Sequence, residues 1–333
     1  MIKRKYQSST MGDTFNVLVL ATMSAGKTSF INALIGEELL HSANEATTAC
    51  ITTLEHDSKR DTTSACCYAD NGNLLKTEEN IQTDQLKEWN RDHQVNNIVI
   101  RGNFNTHCRP AQGLVLHDTP GPNNSQDDRH AQLMLEAIWN TSFDMVFYIL
   151  NATQLGTNDD SQLLYIVKEE LERLQRPCKI VFVLNKVDQL DTEKGETVSR
   201  YVEQTYAYLV DAGFTDPVII PMIASAALYA NKKLTGAPLS RKQRLELENF
   251  KETCLQDSSA LIKASRLPTI VEKNVNRHIQ LDAINGSSNG KSELHLLMAY
   301  SGLAAVVILI NQQRAVVKCK NSQKKKSKHK VSA

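Results

Sequence analysis

The sequence predicts an α/β fold, a mostly parallel β-sheet with helices on both faces, followed by a short C-terminal helical segment. Three observations carry this. Short apolar runs of strand length recur along the chain, helical patterns separate the later ones, and the first run passes through a turn into a helix. Strands alternating with helices of this length indicate a parallel sheet covered on both sides.

Residues 14–21 (TFNVLVLA) read as a buried strand, followed by a turn and a helical run over 27–40. The stretch 50–78 differs. ITTLEHD and TSACCYAD are short strand-like pieces, and Asp70-Asn71-Gly72 is a hairpin-turn signal. An antiparallel edge is expected there, then an amphipathic helix around 83–92. Further strand-like runs lie at 97–101, 113–117, 144–150, 179–184 and 217–223, with helical patterns at 127–140, 159–175 and 194–212. From about 241 the pattern is helical. The expected organisation is an N-terminal tail (1–13), a head (14–240), a helical extension (241–284), a flexible Gly/Ser/Asn linker (285–291), an apolar helix (292–313) and a basic tail (314–333).

The net charge of +1 is an average of unlike parts. Residues 314–333 carry eight Lys or Arg and no acid, so the first 313 positions hold 30 basic and 37 acidic residues, a net of −7. The near-zero balance therefore does not argue against polyanionic partners. With 41% hydrophobic and 23% charged residues, the chain is an ordinary globular protein, which excludes the disordered and collagen-like classes. The start, MIKRKYQSST, lacks the apolar stretch of a secretion signal. Seven scattered cysteines show no zinc-ligand spacing, and Cys66-Cys67 reads as part of a strand. Reduced thiols and a cytoplasmic location are expected, with peripheral contact to a membrane left open.

Ala21-Thr22-Met23-Ser24-Ala25-Gly26-Lys27-Thr28 matches the P-loop pattern, with Ala at the first, usually Gly, position. Such a loop surrounds a β-phosphate with backbone N–H groups. Its lysine reaches the β/γ oxygens and its Thr28 hydroxyl suits Mg²⁺, with Ser29 adjoining. The same string also describes a Gly-Lys helix start without a ligand. Three further segments, each at a predicted strand end, argue for the ligand. Asp118-Thr119-Pro120-Gly121 supplies an aspartate to hold Mg²⁺ through water and a Gly121 N–H for the γ-phosphate. Asn185-Lys186-Val187-Asp188 supplies a carboxylate that can accept both guanine N1–H and N2–H, which adenine cannot offer. Ser225-Ala226 suits a backbone contact to guanine O6. Together they describe a guanine-nucleotide site on a P-loop GTPase fold. Thr47 or Thr48, between the first helix and the next strand, is expected to close over the γ-phosphate.

The segments TMSAGKTSFINALIG, ATTACITTLEH, LHDTPGPNNS and LNKVDQLD resemble the dynamin superfamily, particularly bacterial dynamin-like GTPases. So does the interval of about 70 residues from Thr48 to Asp118. The resemblance covers 14–235 well and the following helices weakly. It implies GTP hydrolysis to GDP and phosphate with Mg²⁺ held by Thr28, Thr48 and Asp118. It also makes Thr48 the switch threonine and Ser24, Lys27 and Thr48 the catalytic set, with Ser24 orienting the attacking water. Asp191 matches a position that supports base binding and contact between two heads. Met23 stands where eukaryotic dynamins have glutamine, and Met cannot orient water. There is no evident arginine finger in the P-loop, so activation through a nucleotide-dependent homodimer is expected. Only about 100 residues follow the core, which leaves no room for a long stalk and implies a reduced, shortened or two-component member.

Leu296–Ile310 holds 15 residues without charge, short for a bilayer core of about 20. Three readings are open: a buried helix on the head, a membrane-associated helix with lysines on anionic headgroups, and no settled structure. The lysine run by itself reads as solvated and disordered. Beside the dynamin-like GTPase stand two alternatives, a nucleotide-controlled binding module with incidental turnover and an Era-like RNA-associated GTPase. The long 48–118 interval and the lack of an RNA-binding module make nucleic acid the less favoured partner.

Overall fold

The computed structural model describes residues 14–22, 24–41, 50–104, 112–120, 129–175, 178–285 and 291–331. Met23, Thr47, Thr48, Gly121, the N-terminal tail and linker residues 286–290 lie outside them.

Nine strands form one sheet in the order β4-β3-β5-β2-β6-β1-β7-β8-β9. Five are mutually parallel: β6 (Leu114–Asp118), β1 (Phe15–Ala21), β7 (Met145–Asn151), β8 (Lys179–Asn185) and β9 (Val218–Met222). The other four form an antiparallel wing. In it β2 (Ile51–His56) runs antiparallel to β6 and parallel to β5 (Asn97–Gly102), while β3 (Ser64–Tyr68) pairs antiparallel with β5 and with the exposed edge β4 (Leu74–Glu79). The Asp70-Asn71-Gly72 turn joins β3 to β4, as expected. The α2 helix (Thr83–Arg91) leads into β5.

Side-chain alternation in the central strands builds a core on each face. On one face Val17, Val19, Phe147 and Ile149 meet Phe30, Ile31 and Leu34 of α1 (Lys27–Ile35). On the other, Leu18, Leu20, Val146 and Phe182 meet three helices: α3 (Arg129–Asn140), α4 (Asn158–Arg173) and α5 (Val198–Asp211). Beyond β9 come α6 (Ala224–Thr235), α7 (Arg241–Gln256), α8 (Ala260–Ala264) and α9 (Thr269–Asn285).

Four expectations need correction. The helix after the first strand stops at Ile35, because Gly36 takes the left-handed conformation (φ 85°) and its N–H returns to Asn32 O at 2.9 Å. The helix expected from 194 begins at Val198, capped by Thr197, after a 3₁₀ turn closed by Gly195. The apolar helix 292–313 is two helices, α10 (Lys291–Tyr300) and α11 (Leu303–Val331), bent by 66° at Ser301-Gly302. Its side chains Leu297, Met298, Leu303, Ala304, Val306 and Ile310 have no accessible surface, so this stretch is core rather than membrane contact. Finally, the lysine run is not disordered, since α11 continues through it to Val331. Among the described residues no single helix is long and apolar enough to cross a membrane.

Candidate functional site

The first strand ends at Ala21, and the chain must turn sharply to enter α1. Ser24 and Gly26 do this with positive φ, 63° and 91°. Gly26 is required twice over, because a Cβ there would lie 2.3 Å from Asn185 Nδ2. No side chain caps the N-terminus of α1, so its first N–H groups point at the space above the loop, with the positive end of the helix dipole behind them. Ser24 is exposed, while Thr28 and Ser29 are partly buried on the first turn.

Lys27 is buried and ion-paired with Asp118, the last residue of β6. The register that sets Val19 beside Asp118 brings them together, and Thr119 Oγ1 donates to Val19 O at 3.1 Å. Behind Asp118, His117 lies buried between strands. Its Nδ1 is 3.2 Å from Thr53 Oγ1 and its Nε2 is 3.1 Å from Asn16 Oδ1. Burial pushes its pKa down to about 4, so the ring is neutral near pH 7.

Asn185, at the end of β8, joins three loops. Its Nδ2 donates to Ala25 O at 3.1 Å, and its Oδ1 accepts from Ala224 N–H at 3.2 Å. The phosphate-type loop and the turn after β9 are thereby held to one rim. Lys186 adopts φ 64° and lays its side chain along Gly26. Asp188 follows in a 3₁₀ turn, Val187–Gln189, at the solvent edge. Partial burial raises its carboxyl above the ordinary range, and the neighbouring Glu246 adds to this. Ser225 and Ala226 open α6, where Ala226 N–H meets Ile223 O at 3.1 Å.

Asp191 is placed differently. Its carboxylate accepts from Glu193 and Lys194 N–H and pairs with the Lys194 side chain at 2.9 Å. The Lys194 hydrogen bond holds it below the ordinary carboxylate range. It stiffens its own turn instead of joining Asn185.

Among the described residues no group of three His, Cys, Asp or Glu side chains could hold a metal ion by itself. Thr28 and Asp118 offer hard oxygen donors, which suit a Mg²⁺ ion that keeps waters and takes further ligands from a phosphate. The residues present thus fit that ion.

Two parts of the site carry no sequence signal. Beyond His117, the loop after α1 is clamped from a distance: Asn231 Nδ2 donates to Gly36 O at 2.5 Å, and Lys232 pairs with Glu38 at 2.5 Å. Gln243 of α7 reaches Glu38 at 3.4 Å. These partners lie 194 to 205 residues apart, so only folding brings them together.

Against this geometry, a model of the dynamin family matches residues 17–187, just over half of the chain. Dynamin-like protein A of Bacillus subtilis (strain 168) is 26% identical over 197 residues, 58% of this chain and 15% of that protein. A solved oligomerised bacterial dynamin pair, described as sensing and tethering membranes, is 15% identical with a TM-score of 0.49, over 96% of this chain and 47% of its own. Era in complex with MgGDPNP and a 16S ribosomal RNA segment is 13% identical with a TM-score of 0.37, over 69% of this chain and 60% of its own. The chain thus spans a minor part of the curated relative and about half of the bacterial dynamin chain.

Proposed function

The chain belongs to the dynamin family, and on that premise we propose that it is a GTPase, which binds GTP with Mg²⁺ on the rim joined by Asn185 and turns it over when two heads meet. The observation that supports this best is the double hydrogen bond of Asn185, to Ala25 O and from Ala224 N–H, which unites phosphate-type and base-type loops.

The Lys27–Asp118 pair supports a simple charge logic. Both groups are buried, and each needs a partner at every stage. When nucleotide binds, Lys27 moves to the β/γ-phosphate oxygens, and Asp118 would be freed to hold Mg²⁺, so neither charge is stranded. Thr28, Asp118 and Thr48 would hold Mg²⁺, which would supply charge neutralisation on the phosphates. The N–H groups of residues 22–28 and of Gly121 surround the phosphates, and Ser24 orients the attacking water. Asp188 accepts guanine N1–H and N2–H. Asp191 acts indirectly, by stiffening the turn beyond Asp188. Met23 has no polar atom for the water. Turnover by one head is therefore slow, and a second head completes the site by positioning.

The basic end of α11 supports contact with an anionic membrane surface, at about 1 kcal/mol per lysine near such a surface. The deciding measurement is GTP turnover against protein concentration, with and without anionic liposomes, and with structured RNA. Specific activity that rises with concentration, and further on liposomes, is expected. A flat profile in both settings would sink the dimer mechanism, and stimulation by RNA alone would replace the membrane reading. The tail is tested by changing Lys324, Lys325, Lys326, Lys328 and Lys330 to Gln, since deletion from 291 would remove buried core.

A further inference from the structure

The break between α10 and α11 sits on the strand end that leads to the base-type turn. Ser301 is fully buried, and its carbonyl accepts from Ile223 N–H at 2.9 Å. Its Oγ donates back to Met298 O at 2.8 Å and so closes the end of α10. Gly302 takes φ 95°, and a Cβ there would lie 2.7 Å from Pro221 O and 3.3 Å from Met222 Cα. Pro221 and Met222 end β9, and Ile223 and Ala224 follow. The backbone over 221–224 is thus seated on Ser301-Gly302 from one side and hydrogen-bonded to Asn185 from the other.

A backbone N–H can read a carbonyl oxygen selectively only if it is held still. The N-terminus of α6 has no side-chain cap that could fix it. We propose that Ser301 and Gly302 are positioning residues for guanine recognition: the apolar α10–α11 break presses on the end of β9 and sets the Ser225-Ala226 turn for guanine O6. The C-terminal helices are then part of the nucleotide site. This inference rests on the guanine reading given above.

The test compares GTP with 6-thio-GTP, which keeps N1–H and N2–H but replaces O6 by a weaker acceptor, and with ITP, which keeps O6 and N1–H but lacks the N2 amino group. Affinities are measured by titration on full-length wild type, Gly302→Ala, Ser301→Ala and Gly236→Ala. Gly236 is a control, with the same left-handed strain (φ 75°) and nothing within 4 Å. One neutral hydrogen bond is worth roughly a factor of 5–10. Gly302→Ala should lose most of the preference for GTP over 6-thio-GTP, with the preference for GTP over ITP retained. Ser301→Ala should lose part of it, and Gly236→Ala none. A folded Gly302→Ala with the wild-type GTP/6-thio-GTP ratio overturns the inference. If that variant does not fold, an unchanged ratio in Ser301→Ala overturns it instead. If the wild type itself does not prefer GTP to ATP, the guanine reading fails and this inference falls with it.

Discussion

At the scale of single residues, the site is organised around buried charge and forced backbone. Lys27→Ala leaves the buried Asp118 carboxylate without its ammonium partner. Loss of nucleotide binding is therefore expected together with about 3 kcal/mol of lost stability in nucleotide-free protein, read by thermal unfolding without ligand. Unchanged apo stability would show that the pair is not formed. Gly26→Ala meets both the left-handed φ and Asn185 Nδ2, and should abolish nucleotide binding. His117 gives a pH signature. Its folded pKa of about 4 lies below the ordinary value near 6.5, so the unfolded chain takes up a proton first as pH falls. The stability from its neutral ring is complete above about pH 6.5 and is lost between about pH 6.5 and 4, amounting to on the order of 3 kcal/mol. Denaturant titrations at pH 7 and pH 4.5 should show a smaller drop for His117→Asn than for wild type. Asp188 shifts the other way. Its raised carboxyl must stay ionised to accept guanine N–H groups, so GTP affinity should begin to fall at a higher pH than an ordinary aspartate would allow.

At the scale of elements, the strand ends do the positioning and the side chains between them tie the loops. Asn185→Ala removes the link between the loop before α1 and the turn before α6. It should weaken GTP and GDP alike, by about 1–3 kcal/mol in calorimetric binding, because the partner groups lose their hydrogen bonds in a buried place. Binding unchanged for both would mean that the rim does not depend on that bridge. Helix α11 divides its roles by position. Leu303–Ile310 is core, whereas Asn311–Lys320 is half-buried to exposed and leads into the lysine-rich end of the helix. Changing the five lysines at 324–330 to Gln should remove salt-sensitive sedimentation with anionic vesicles and leave basal turnover and thermal stability unaltered. Cys66 and Cys67 are ordinary β3 residues, and burial pushes the Cys67 thiol up, away from reactivity.

At the scale of the whole molecule, the parallel half of the sheet carries the proposed nucleotide site at its strand ends, and the antiparallel wing widens the platform beside it. The proposed dimer joins two such rims, which is why turnover should depend on protein concentration. Much of this was legible in the sequence. The strand-turn-helix at Ala21–Lys27, the aspartate at the end of β6 and the asparagine at the end of β8 are local patterns, and local patterns survive without knowledge of contacts. The hairpin turn at Asp70-Asn71-Gly72 and eight of the nine strand positions are of this kind, whereas the exposed edge strand β4, which has no apolar run, was implied only by the turn before it. The end of α1 at Ile35 hung on the left-handed turn of Gly36, and a glycine within an apolar helical pattern does not declare its φ. The apolar run of 296–310 was ambiguous for a deeper reason: hydrophobicity records a need to leave water and does not say whether protein or lipid will provide the refuge. Tertiary structure decided it, through the sites that Met222, α6 and α9 offer to α10 and α11. The same holds for Lys232 on Glu38 and Ser301 on Ile223, contacts between residues far apart in the chain whose geometry is settled only when the sheet has formed.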